Sequence, residues 1–115
     1  MTQTNDHLYV LWTSADREVA LNMAFMYTTN ARRRKWWDAV TLIVWGPSAR
    51  LLAEDAELGE RIEEMKAVGV ELLACRACAD NYGVSDRLMQ LGIEVIYMGE
   101  PLTRILKDGH RLLTI

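Results

Sequence analysis

Residues 70–84 read VELLACRACADNYGV, and this stretch decides the fold. Val70 to Ala74 is an apolar run broken only by Glu71, too short for a helix and typical of a strand covered on both faces. The run ends in a thiol, Cys75, and from Cys78 to Leu91 the pattern turns helical, with a break near Gly83. A buried strand that hands over to a helix is half of a β-α-β unit, so the neighbouring segments should repeat the alternation.

They do so on both sides. Downstream, Ile93 to Tyr97 (IEVIY) reads as a strand, Pro101 to Lys107 as the last helix ended by Gly109, and Arg111 to Ile115 (RLLTI) as a closing strand. Upstream, a Glu-rich helix from about Asp55 to Val68 turns Leu58, Ile62 and Met65 inward and stops at Gly69, where a helix end favours glycine. Ala39 to Trp45 (AVTLIVW) is a β-branched strand stopped by Gly46-Pro47, and Ser48 can cap a short turn through Leu51 and Leu52. His7 to Thr13 forms the first strand. Ser14 or Asp16 then caps a helix running to about Asn30, with Val19, Ala20, Met23, Ala24 and Tyr27 on one apolar face. The order β-α-β-α-β-α-β-α-β predicts an α/β fold, a five-stranded mostly parallel sheet with helices on both faces.

Composition sets the outer limits. At 115 residues the chain has the size of one domain, and residues 1–115 are read as such, with no linker, repeat or low-complexity tract. Half the residues are apolar and a quarter charged, which is a folding composition. With a formal net charge of -3 there is no global positive field, so neither nucleic acid nor an anionic membrane is expected as a partner. The N-terminus lacks the pattern of a secretory signal, and no run reaches the roughly 18 apolar residues that span a bilayer, so a cytoplasmic location is expected.

Chemistry in open parallel sheets gathers beyond the carboxyl ends of the strands. Of the five exits in this chain, the third carries a thiol, Cys75, at the strand end, and a second, Cys78, three residues on. In a reducing compartment such thiols are free, catalytic or metal-bound. The free N–H groups of a helix start favour a thiolate at Cys75, and Arg76 adds a positive charge beside it. The alternative is that both are small buried hydrophobes. Intrachain zinc would need four ligands, and only His7 and His110 remain to join the two cysteines, in no paired spacing. A thioredoxin-type motif belongs after an earlier strand. No nucleotide-binding glycine motif is present, so no cofactor is expected.

Other features read as structural. Arg32 to Lys35 can complement a helix C-terminus, with an anion or acidic partner as the alternative. Met23, Met26, Met65, Met89 and Met98 read as core packing. Trp36 and Trp37 cannot both enter one small core, so one is either an oligomer contact or packs over the sheet edge. Asp16 reads as a cap and His110 as a surface residue, though either could project toward the cysteine rim.

The stretch VELLACRACADNYGV, with GPSARLL after the second strand and the ending ILKDGHRLLTI, resembles the DsrE/DsrF-like family over nearly the whole chain. The most specific part is a strand-end Cys followed eight residues later by Gly-Val, here Cys75 and Gly83-Val84. The resemblance implies a three-layer α/β/α fold, a homo-oligomer (trimer or hexamer), and sulfur-donor and sulfur-acceptor proteins as partners. It further implies that Cys75 carries sulfane sulfur as a persulfide, as a sulfur carrier or sulfurtransferase-like protein does. Cys78 lies outside that single-cysteine pattern, and its reading as a resolving thiol comes from its spacing alone. Two other functions stay open: a non-catalytic oligomeric module that binds a small ligand or protein, and a dithiol redox sensor.

Overall fold

A computed structural model describes residues 6–115, and within them the five strands form one sheet in the order β4-β3-β2-β1-β5. The elements are β1 (His7–Trp12), a long first helix α1 (residues 17–33), β2 (Ala39–Val44), α2 (Pro47–Glu54), α3 (Ala56–Val68) and β3 (Glu71–Cys75). Then come α4 (Arg76–Tyr82), α5 (Ser85–Gln90), β4 (Glu94–Ile96), α6 (Gly99–Lys107) and β5 (Arg111–Thr114). Every pairing is parallel. None of the helices among the described residues is long and apolar enough to cross a membrane.

The strand order dictates where the helices go. β1 to β4 step steadily across the sheet, and right-handed crossovers in one direction put α1 to α5 on one face. The β4 to β5 connection runs back across the whole sheet and puts α6 on the other. The result is three layers, α/β/α, with very unequal outer layers. Leu8, Val10 and Trp12, Val40, Leu42 and Val44 point into the large core beneath α1 to α5. The alternate residues Ile43, Leu73 and Cys75 pack with Met98 and Ile105 into a much smaller cluster under α6.

Local signals place most element ends where the sequence reading put them. Asp55 accepts the Leu58 N–H at 3.1 Å, and Gly69 closes α3 at φ 99°, a left-handed position natural to glycine. Leu58, Ile62 and Met65 are fully buried between them. Gly83 breaks the helix after β3 at φ 70°, and α5 follows.

Four details differ from the sequence reading. The segment after Gly46-Pro47 is an eight-residue helix rather than a short turn, with Pro47 in its first turn, where a missing N–H costs nothing. Ser48 does not cap it. Its buried hydroxyl donates to the Trp12 carbonyl at 2.7 Å and so fastens α2 to β1.

Second, the helix after β3 starts at Arg76 rather than Cys78. Third, β4 covers only Glu94–Ile96, leaving Tyr97 outside the strand and 68% exposed.

The fourth difference lies in α1, which runs as an α segment (Arg17–Val19), a π segment (Ala20–Ala24) and a second α segment (Phe25–Arg33). The Phe25 N–H reaches back to the Ala20 carbonyl, an i→i+5 bond that absorbs one extra residue and rotates everything beyond it. Ala20 and Ala24 keep the predicted inward face, but Phe25, Thr28 and Thr29 take it over afterwards, and Met23 and Met26 turn out to solvent. Met65 and Met98 are core residues as expected, whereas Met89 is exposed because it sits on the outer side of short α5. Trp37 packs against the large core and donates to the Tyr27 hydroxyl at 3.2 Å, while Trp36 is 54% exposed.

Candidate functional site

Cys75 is at once the last residue of β3 and the N-cap of α4 (φ −72°, ψ 115°), so extended chain becomes helix with no loop between. Alternation along β3 puts its side chain on the α6 face with Leu73. It stands opposite Ile96 of β4. One step beyond the Val44–Ala74 pair, Trp45 leaves β2 beside it. The residue is 4% exposed, at the edge of the small cluster.

Cys78 lies one turn into α4, half-buried against the same cluster, and both cysteines are free. Burial pushes the Cys78 thiol above its ordinary range, a hydrogen bond with Cys75 pushes it the same way, and the Gly46 N–H partly opposes them. Near neutral pH, Cys78 is therefore an S–H group beside the Cys75 sulfur. Gly46 adopts φ 81°, ψ −145°, a conformation almost closed to residues with a Cβ.

Arg76 is more occupied than its place beside the thiol implied. Its Nη2 donates to the Val95 carbonyl at 2.8 Å, and its guanidinium carbon lies 6.0 Å from the Tyr97 ring centroid. The charge is held at the β4 end of the rim. A second stack, Arg50 over the Tyr82 ring at 5.4 Å, joins α2 to α4.

Asp16 is a cap, its Oδ1 accepting the Val19 N–H at 3.1 Å. The Ser14 hydroxyl at the same strand exit is buried without a partner. His7 opens β1 and His110 precedes β5, so both histidines sit at the amino ends of the strands, the far end from Cys75. Among the described residues no three His, Cys, Asp or Glu side chains converge to hold a metal ion.

The structure thus brings Cys75 and Cys78 together, keeps Arg76 at their border, and separates the histidines from them. Trp45 and Gly46 were not singled out for this site in the sequence. Trp45 was legible in principle, because it shares the alternation of Ile43 and the register of Cys75. Gly46 was visible only as a strand stop.

An all-parallel sheet of this order, with a free cysteine at the β3-to-helix junction, defines a three-layer α/β domain with a buried strand-end thiol. Residues 15–115 match the DsrE/DsrF-like family, and the chain belongs to that family. A conserved protein of unknown function, BT1422 from Bacteroides thetaiotaomicron, is 41% identical, with 96% of this chain and 95% of that one covered and a TM-score of 0.93. The ychN protein from E. coli superimposes with a TM-score of 0.71 at 17% identity, covering 97% of this chain and 100% of that one. MTH1491 from Methanobacterium thermoautotrophicum, of unknown function, does so at 0.73 and 17% identity, covering 95% and 98%. These last two share the fold. No curated protein matched the chain.

Proposed function

We propose that this chain is a sulfur carrier, sulfurtransferase-like in its chemistry, with Cys75 as the atom that holds the sulfur. The observation that carries the reading is the pair itself: a strand-end sulfur at a helix start, with a thiol held protonated next to it. In loading, the Cys75 thiolate attacks the outer sulfur of a donor persulfide; the new S–S bond forms as the donor's breaks, and the donor leaves as a thiolate. No net oxidation occurs. An acceptor thiolate then takes that outer sulfur by the same exchange. Alternatively, Cys78 gives up its proton and attacks the Cys75 sulfur, releasing hydrosulfide and leaving a Cys75–Cys78 disulfide that a dithiol reductant must reset.

Arg76 fits as a positive border to the anion, and its hydrogen bond to Val95 keeps it in place. The partners that follow are a donor protein and an acceptor protein in a reducing, cytoplasmic compartment. Self-association as a trimer or hexamer fits the exposed apolar surface at Tyr97, Leu106 and Trp36, which are 68%, 55% and 54% exposed. A second reading, a dithiol redox sensor, rests on the contact between the two sulfurs.

Intact mass after incubation with a persulfide donor separates the readings. A carrier gains one sulfur, about 32 mass units, loses that gain in Cys75→Ser and keeps it in Cys78→Ser. A redox sensor instead loses about two mass units on mild oxidation as two thiols become a disulfide, and needs both cysteines. If neither the gain of one sulfur nor the loss of about two mass units is seen in any variant, the thiols only pack, and the chain is a non-catalytic binding module.

A further inference from the structure

The α6 face carries a second cluster at the amino ends of the strands, away from the thiols. Tyr9, Thr41 and Glu71 are register neighbours on β1, β2 and β3. Thr41 Oγ1 donates to Glu71 Oε1 at 2.6 Å and lies 2.7 Å from His7 Nε2. Since the hydroxyl has one proton and gives it to the carboxylate, His7 must donate from Nε2, which fixes its tautomer. The His7 ring stacks on Tyr9 at 4.0 Å between centroids, and His110 meets Tyr9 edge-on at 5.4 Å. Burial is the main force holding the His7 pKa below its ordinary value, and burial, with Glu71 and Asp108, holds Tyr9 above its own. Both rings are neutral near pH 7.

Between this cluster and α6 runs a groove of about 360 Å³, within the size range of small-molecule sites. Its apolar and aromatic wall includes Tyr9, Leu73, Ile105 and His110. Its charged lining is three carboxylates, Glu71, Glu100 and Asp108, against one guanidinium, Arg104, a formal balance of −2 from −3 and +1. None of these four takes part in an ion pair among the described residues. The Nδ1 of His110 is buried without a partner. Unspent carboxylates beside neutral aromatic rings favour a cation, which the rings attract through their faces and the carboxylates through charge. An anion would meet the opposite balance.

We infer that this groove is a binding site for a small organic cation, an amine or guanidinium on a flat or apolar body, independent of the thiol pair. The Glu71 carboxylate, already oriented by Thr41 through Oε1, receives the cation on its other oxygen, and the Tyr9 face covers the apolar part.

The test uses one ring with three charges: benzylamine, benzyl alcohol and benzoate, titrated into the full chain by calorimetry and by amide chemical shifts. The cation should bind about tenfold or more tighter than the alcohol, from the carboxylate and ring contacts together, and benzoate weakest. Glu71→Gln and Asp108→Asn, both at exposed positions, should each weaken the amine severalfold and leave the alcohol unchanged. Cys75→Ser should leave all three affinities unchanged, so that failure of this site and failure of the sulfur reading are told apart. Equal affinity for amine and alcohol, preference for benzoate, no binding at all, or insensitivity to both carboxylate variants would overturn the inference.

Discussion

One face of the sheet lies under five helices and the other under one. The crowded face carries the large core, in which Val10, Trp12, Leu42 and Val44 are wholly buried. The thin face carries a short list of apolar residues and most of the groups with chemistry: Cys75, Cys78, His7, Tyr9 and Glu71. The difference follows from strand order alone, since four strands stepping one way stack their helices together. Stability is concentrated where burial is complete, and reactive or titratable groups can occupy the other face without disturbing the main core.

The largest effect should come from cutting the crowded face. Leu42→Ala removes a fully buried side chain and is expected to cost about 2–5 kcal/mol in urea unfolding. Its parallel on the thin face, Leu11→Ala, removes a half-buried one and should cost about 1 kcal/mol. Equal losses would break the comparison. Gly46→Ala comes next, at about 1–3 kcal/mol, because φ 81° and ψ −145° strain any residue with a Cβ.

Asp55→Ala tests a cap on the crowded side and should cost about 1 kcal/mol. The Arg17 hydrogen bond, helped by the Leu58 N–H, holds the Asp55 carboxyl below its usual range. The stability it gives is present above the ordinary carboxylate pKa and is lost as the pH falls through the lower folded value, a loss absent in the variant. The smallest effect belongs to His7. Its depressed pKa means the fold favours the neutral ring, so that contribution is present above pH 6.5 and declines as the pH falls through the folded value. Tm between pH 7 and 5 should therefore fall less steeply in His7→Asn than in wild type; parallel profiles would remove His7 from the account.

The fold was legible because each strand is a short apolar run and several helices carry their own glycine stop, as Gly69 and Gly83 show. On the α1 face Ala20, Ala24 and, half-buried, Tyr27 were legible while Met23 was not, since a π turn leaves no mark in residue spacing and rotates the stripe. Cys75 and Cys78 were legible from their place at a strand exit, and their contact from spacing on one helix turn. The His7, Tyr9, Thr41 and Glu71 cluster was hidden because its members lie far apart in sequence and meet only through the β1-β2-β3 register. The anchoring of Arg76 was not legible, because it depends on a carbonyl of the next strand that accepts from its guanidinium.

Arg76 also makes the central claim directly measurable, since trypsin cuts after it and separates the two thiols into the peptides Ala67–Arg76 and Ala77–Arg87. After loading with a persulfide donor, alkylation and digestion, the mass of each peptide shows where the sulfur went. The added sulfur is expected on Ala67–Arg76, which holds Cys75. Sulfur found on Ala77–Arg87 instead, or on neither peptide, would contradict it.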